Sequence, residues 1–359
     1  MNPSILKIRG NVVSGKGKAN KFVSLRWVTD QLAKNLNMQP YLGTLNLKVK
    51  KDDFKSLHSN LKKAIRLVPP SEQGCAGLCL PSIIEGVIKA VIVVPTIGRY
   101  YDDQIELIAS VNLRNALELK DGDKVNVTVG LNPTPTRPQI FGVILDMDGT
   151  LINTFDAFYL AIHEALSNKG YPVPTRRELR EVLDKGLSVQ DIFFNKFVIA
   201  DEMDEFITNV SNIFNKIRLE NVKPILGTSD ALSLMRSCNV KIAIATGSST
   251  PRHLVEQDLK RFKILSYIDV MKLSYDVSRR KPHPDLINSC ISELNINAGA
   301  CIAVGDSSVD VKAGRAAGCL TAAILSGVGS KTILMSEKPT FLEKDVYSLT
   351  EKLVLGNWL

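Results

Sequence analysis

A chain of 359 residues is long for one hydrophobic core, and 45% hydrophobic with 23% charged content excludes extensive disorder. The formal net charge of +8 suits anionic ligands, but no zinc finger or RNA-binding aromatic signature accompanies it, so it reads as a solvated basic surface and nucleic acid is not an expected partner. The opening "MNPSILKIRG" has no signal-peptide core and no apolar run approaches the ~20 residues of a membrane span, which makes the cytoplasm the expected location.

Residues 1–131 hold short β-rich segments, "KIRGNVVSG", "TLNLKVK", "VIKAVIVVP", "IELIA" and "KVNVTVG", and one convincing helix in "VSLRWVTDQLAKNLN". Short strands with frequent turn signals predict a barrel or sandwich. In "SGKGKAN" two glycines let backbone N–H groups converge on an anion while Lys16 and Lys18 add charge; a plain Gly-Lys hairpin loop has the same composition. In "GTLNL", Thr44 and Asn46 leave one strand face while Leu45 and Leu47 enter the core, and a hydroxyl beside an amide oxygen suits a hard cation such as Mg²⁺. Glu106 interrupts the apolar run "IELIA", and "NLRN" follows with Arg114. No Walker loop, kinase glycine-rich loop or dinucleotide fingerprint occurs here. The six cysteines lack zinc-site spacing, Cys75 and Cys79 being the one close pair, and most read as reduced core residues.

Residues 132–139 contain Pro133, Pro135 and Pro138 and read as a stiff linker, since proline fixes φ and removes backbone donors. From residue 140 onward "FGVILD", "KIAIAT", "YIDVMKL" and "ACIAVGD" alternate with helical sequence, which predicts an α/β doubly wound parallel sheet covered on both faces. Residues from about 157 to 222 read as helical throughout, an inserted cap. Four patches follow strands, where such a sheet collects its ligand: "DMDGT" (146–150), "ATGSS" (245–249), "RRKPHPD" (279–285) and "GDSSVD" (305–310).

These four motifs, in this order, resemble the haloacid dehalogenase (HAD) superfamily, and the helical insertion resembles its C1-capped phosphatases, over residues 140–359. The resemblance implies Mg²⁺-dependent phosphomonoester hydrolysis with Asp146 as nucleophile and Asp148 as acid and base. Thr246 would bind the transferring phosphoryl group, supported by Gly247. Lys281 would neutralise charge, and Asp146, Asp148 and Asp306, supported by Asp310, would form the metal shell. Asn153 stands where many capped relatives carry aspartate. Substrate choice is expected from the cap region with Tyr159, His163, Lys185, Phe193 and Phe194.

Residues 1–131 resemble the archaeal CTP-dependent riboflavin kinase family, a cradle-loop β-barrel that phosphorylates riboflavin to FMN. The resemblance rests on "SGKGKAN", "GTLNL", "IELIA" and "NLRN". It implies that Gly15, Lys16, Gly17, Lys18, Ala19 and Asn20, with Asn112, Leu113, Arg114 and Asn115, hold CTP. Thr44 and Asn46 would hold a second Mg²⁺, and Gly98 and Glu106 the flavin. Lys18, Gly98 and Asn115 depart from the family's usual residues.

The combined expectation is a multidomain, bifunctional flavin-pathway enzyme whose ligands are riboflavin and FMN, CTP and a phosphate monoester. A kinase and a phosphatase sharing FMN would run a futile cycle, so the phosphatase is expected to take another ester, of ribityl-phosphate, sugar-phosphate or phosphoglycolate type. The competing class is a phosphatase regulated by a non-catalytic flavin- or nucleotide-binding domain.

Overall fold

The computed structural model describes residues 5–15, 22–70, 76–96, 103–131, 139–187 and 203–359. They fall into two compact units, one of Met1–Gln139 with Ser233–Val240 and Thr350–Leu359, the other of Ile140–Leu232 with Lys241–Leu349. The proline-rich residues 132–138 lie outside the described residues. Among the described residues no helix is long and apolar enough to cross a membrane.

The first unit is an antiparallel sheet of β1 (Ile5–Val13), β2 (Leu45–Val49), β3 (Ile65–Leu67), β4 (Gly77–Ile84), β5 (Ile88–Pro95), β6 (Gln104–Ala109) and β7 (Lys124–Gly130). Strand β4 changes partner along its length: Gly77, Leu78 and Cys79 pair with β3, whereas Ser82, Ile83 and Ile84 pair with β7. Six strands thereby close into a barrel in the order β4-β5-β6-β2-β1-β7, and β3 is added at its edge. Pro81 falls between the two pairings, where a residue without an N–H is tolerated. Alternation then sorts the side chains. Leu45, Leu47, Ile105, Leu107, Val125 and Val127 fill the barrel, while Val91, Val93 and Ile108 face outward and pack with Val28, Leu32 and Leu36 of the helix Arg26–Leu36. Buried Lys89 donates from Nζ to Leu36 O at 2.8 Å, satisfying one of that helix's terminal carbonyls. A second helix, Lys51–Asn60, was not expected. It is polar with Leu57 as its buried residue, and Asp52 and Asp53 in its first turn favour it through the helix dipole.

The second unit is built on a parallel six-stranded sheet in the order β12-β11-β8-β13-β14-β15, as the alternating pattern predicts. Its strands are β8 (Gly142–Leu145), β11 (Lys241–Ala245), β12 (Val270–Lys272), β13 (Cys301–Gly305), β14 (Leu320–Ile324) and β15 (Phe341–Glu343). Strand β8 is central and wholly buried, which is why "GVIL" carries no polar residue. A two-stranded ribbon of β9 (Ile152–Asn153) and β10 (Lys223–Pro224) forms the stem of the cap. The described cap is not one continuous helical stretch: helices Phe155–Asn168, Arg176–Asp184 and Met203–Asn221 are separated, the second starting at a Thr175/Glu178 capping box.

Cap and sheet layer are also joined by a buried ion pair, Arg218 to Asp258 at 2.5 Å, in which Arg218 also donates to Leu254 O and Gln257 Oε1. Asp258→Ala leaves the guanidinium buried without its carboxylate and is expected to cost about 3–5 kcal/mol. A urea midpoint unchanged from the parent would contradict this assignment.

Candidate active site

Strand register assembles the acidic edge. Leu145 of β8 is level with Ile244 of β11 and Val304 of β13, so Asp146, Thr246 and Asp306 emerge together at the carboxyl ends of three neighbouring strands. Asp146 N donates to Val304 O at 2.8 Å and prolongs the ladder by one residue. The chain then turns sharply, with Leu151 N and Ile152 N donating to Met147 O. Gly149 has φ +80°, and a Cβ there would lie 2.5 Å from Asp306 Oδ2, so only glycine lets the turn approach that carboxylate.

Asp146, Asp306 and Asp310 present ligand oxygens within 4.8 Å of one another. Lys281 Nζ donates to Asp146 Oδ1 at 2.7 Å and to Asp310 Oδ1 at 2.6 Å. Asp310 is held from its other oxygen by Ser307 N–H and Oγ–H, as the third residue of a capping box on the helix Ser308–Ala316. Asp306 accepts from Val328 N at 2.7 Å and from Thr150 Oγ1 at 3.3 Å. Asp148 lies outside this cluster of carboxylates: Thr246 Oγ1 donates to its Oδ2 at 3.3 Å and itself accepts from Ser248 N at 3.0 Å.

Burial dominates the electrostatics. It pushes Asp146 well above the carboxylate range; Lys281 opposes the shift and Asp310 and Asp306 add to it. Asp306 is pushed up to about 7, first by burial and then by Asp310. Asp148 is also raised by burial, against hydrogen bonds from Thr154 and Thr246. Burial alone would lower Lys281, but Asp146 and Asp310 outweigh it and hold the amine above its ordinary value. Three buried carboxylates around one ammonium leave a deficit of positive charge, and an all-oxygen donor set is what Mg²⁺ prefers, so the residues fit that ion.

A cavity of about 620 Å³ opens over this edge. Asp146, Asp148, Thr246, Gly247, Lys281, Asp306 and Asp310 line it, with Phe158, Ile207, Val210 and Phe214 of the cap. Of the cap residues expected to govern selectivity, Tyr159, His163 and Lys185 do not line the cavity, and Phe193 and Phe194 lie outside the described residues. Tyr159 instead stacks under Arg176, 4.5 Å from the ring centroid, and His163 is exposed on the far turn of its helix. Sequence reasoning also missed two cap-to-sheet links. Buried Asp184 accepts from Ser308 N at 2.9 Å and, at its carbonyl, from Ser308 Oγ at 2.8 Å; Arg180 donates to Gly327 O at 2.8 Å. A carboxylate at a helix N-terminus is the one available signal for the first, and it needs the three-dimensional neighbour to be seen.

In the barrel, Thr44 and Asn46 do lie side by side, with Asn46 Nδ2 donating to Thr44 Oγ1 at 3.4 Å. Asn46 is opposite Glu106 of β6 on one side and Val13 of β1 on the other, and a Cβ on Gly15 would collide with its side chain. Gly15, Thr44, Asn46 and Glu106 are thus brought to one patch, and Asn46 is only 6% exposed there. Arg114 donates to Val13 O at 3.1 Å and to Asp121 Oδ1 at 2.7 Å, while Ser14 Oγ donates to the other Asp121 oxygen at 2.5 Å. Those two donors, Ser14 first and then Arg114, hold Asp121 below the usual carboxylate range, and Asp121 is a residue the sequence reading did not single out. Asn112 caps the short helix Leu113–Ala116 by accepting from Asn115 N at 3.2 Å, and Leu113 is buried. Lys16, Gly17, Lys18, Ala19, Asn20 and Gly98 lie outside the described residues.

A parallel sheet whose strand ends carry paired aspartates, a threonine and a lysine under a helical cap defines a hydrolase of phosphate-ester type. The family model for haloacid dehalogenase-like hydrolases matches residues 143–324, and the chain belongs to that family. A second model, for the CTP-dependent riboflavin kinase domain and described as domain of unknown function DUF120, matches residues 12–129. Over 128 residues the chain is 37% identical to a riboflavin kinase of Methanosarcina acetivorans, an alignment covering 34% of this chain and 53% of that protein. The chain thus spans about half the length of the riboflavin kinases it matches. Over 201 residues it is 29% identical to pyrophosphatase PpaX of Bacillus cereus (strain Q1), covering 56% of this chain and 90% of that one. Among solved structures, a predicted phosphoglycolate phosphatase from Haemophilus somnus 129pt superposes with a TM-score of 0.53 at 20% identity, over 60% of this chain and 98% of its own, a likeness of fold.

The raised Asp306 carboxyl predicts a pH dependence. Its proton is bound more tightly in the folded than in the unfolded chain, so in metal-free protein this group's stabilisation is complete below pH ~4 and is lost as pH rises through about 7. Thermal unfolding with and without Mg²⁺ should therefore show a metal-induced rise in Tm that grows from pH 5 to pH 8. A rise that is the same at both ends, or absent, contradicts it.

Proposed function

We propose that the chain is a bifunctional enzyme. Its second unit hydrolyses a phosphate monoester through an aspartyl-phosphate on Asp146, and its first transfers the γ-phosphoryl group of CTP to riboflavin to give FMN. The observation that carries the phosphatase reading is the gathering of Asp146, Asp306 and Asp310 around Lys281 beside a cavity roofed by the cap.

Asp146 and Asp306, with Asp310 beside them, are the residues whose carboxylates would hold Mg²⁺, which when bound offsets the charge of a phosphate dianion, whereas Asp148, expected from its motif in the same shell, lies outside that cluster and serves proton transfer. One Asp146 oxygen attacks phosphorus, the bond from phosphorus to the alcohol oxygen breaks, and Asp148 gives that oxygen its proton. Asp148, now a base, takes a proton from the water that attacks the aspartyl-phosphate; inorganic phosphate leaves and Asp146 is restored. Thr246 and Gly247 hold the phosphoryl oxygens, and Lys281 keeps the Asp146 oxygen aimed while the charge around it changes.

The barrel reading is supported by the convergence of Gly15, Thr44, Asn46 and Glu106 and by the relatives matched over residues 12–129. Thr44 and Asn46 are the pair that would hold a second Mg²⁺, Arg114 steadies the strand that leads into the glycine loop, and Glu106 accepts the ribityl hydroxyl proton. Because the two reactions run in opposite directions, the phosphatase is assigned a different ester from FMN.

Two assays test the proposal. With riboflavin, CTP and Mg²⁺ the purified chain should form FMN, and Asn46→Ala should slow this about a hundredfold; riboflavin binding without turnover would replace the kinase by a sensing domain. Across a set of phosphate esters the native chain should release phosphate, and Asp146→Asn should lose roughly a thousandfold or more of that rate. Full activity in that variant would end the nucleophile assignment.

A further inference from the structure

The cavity is asymmetric. Its sheet side brings charge and hydroxyl from Asp146, Asp148, Lys281 and Thr246, beside Val309 and Val328, whereas the helix Met203–Asn221 offers it Ile207, Val210, Ser211, Phe214 and Asn215. These positions are spaced i, i+3, i+4, i+7 and i+8, so one helical face lines the space. Phe158, from the helix Phe155–Asn168, stands edge-on to Phe214 with ring centroids 6.5 Å apart and planes at 77°. Both rings are only partly buried although they adjoin the cap's apolar core. Apolar surface turned toward a chamber of about 620 Å³ gains by covering a ligand, and that volume is far more than glycolate or a second phosphoryl group fills.

The cations on the walls point the same way. Lys281 lies between two carboxylates, and Arg180 is drawn to Gly327 O with its guanidinium 4.0 Å from the Phe155 ring centroid. Among the described lining residues that leaves Arg280, which is exposed, as the other arginine or lysine facing the chamber. A leaving group bearing several further negative charges would find Arg280 as its one such counter-charge among the described lining residues and apolar rings elsewhere.

We propose that the phosphatase site takes a phosphate monoester, other than FMN, of a short hydroxylated chain that ends in a planar, uncharged ring. The ring packs against Phe158 and Phe214, and the hydroxyls meet Ser211, Asn215 and Asn153. This assignment rests on the phosphatase reading of Asp146 and narrows it to a substrate class.

Matched esters that share the reacting alcohol and differ in the ring test it: ribose 5-phosphate against adenosine and uridine 5′-monophosphates, and ribitol 5-phosphate against its N-arylamino derivative. The ring-bearing ester of each pair should have a kcat/KM at least tenfold higher, and Phe214→Ala should cut that ratio at least fivefold, with Phe214→Leu intermediate. As a measurement that needs no variant, N-phenyl ribitylamine should inhibit competitively at concentrations at least tenfold below those required of ribitol. Equal kcat/KM within both pairs, or a ratio that Phe214→Ala leaves unmoved, overturns the substrate class while leaving the phosphatase reading intact. Phosphate release from none of the esters, nor from pyrophosphate or phosphoglycolate, overturns both.

Discussion

The second unit is organised around one electrostatic problem: Asp146, Asp148, Asp306 and Asp310 are crowded at one sheet edge with Lys281 as the ammonium among them. Desolvation alone would protonate such carboxylates, and Asp146 and Asp306 are indeed displaced upward. Lys281 relieves part of that by bridging Asp146 and Asp310. The remainder is a demand for added positive charge, and that demand suits the edge to a cation rather than to an ordinary polar turn. The surrounding fold serves this crowding. Register between β8 and β13 sets Asp146 beside Gly305, one residue before Asp306, Gly149 permits the turn, and the Ser307 capping box fixes Asp310.

The barrel answers a related need differently. Its candidate patch is a hydroxyl and an amide facing one glutamate across a strand pair, with Gly15 folded against them. Neutral oxygens hold a metal more loosely than a carboxylate cluster does, which suits an ion that arrives with its nucleotide and leaves with it. Phosphoryl transfer from CTP needs positioning and charge neutralisation without a covalent intermediate, so no buried nucleophile is required there. The hydrolysis proposed at Asp146 would need one, and the burial it calls for accompanies the raised Asp146 and Asp306 carboxyls.

Periodicity and motif made the architecture legible from sequence, and the residues show where that stopped. The run "GVIL" reads as a buried strand once the acidic turn follows it, and "GTLNL" alternates so plainly that the Thr44–Asn46 pairing followed from the two-residue repeat. Strand β4 escaped because Pro81 reads as a breaker, and only the switch of partner from β3 to β7 makes room for it. The helix Lys51–Asn60 escaped because its apolar signal is little more than Leu57. In the site, the motif aspartates sat where local sequence puts them. The cap did not, because which turn of a helix faces a cavity depends on a partner helix far away in sequence, so Phe158 and Phe214 line the space where Tyr159 and His163 were expected. Asp184 and Asp121 are of the same kind, carboxylates whose meaning lies in Ser308 and in Arg114 with Ser14.

In the proposed hydrolysis the Asp146 carboxylate, poised by Lys281, carries the phosphoryl group between ester and water. Mass spectrometry of the chain, acid-quenched during turnover of a phosphate ester and digested, tests this most directly. A phosphoryl adduct is expected on the peptide containing Asp146, and reduction with borohydride should convert it to homoserine at that position. Phosphate release with that peptide unmodified throughout, or with the adduct on another residue, would contradict it.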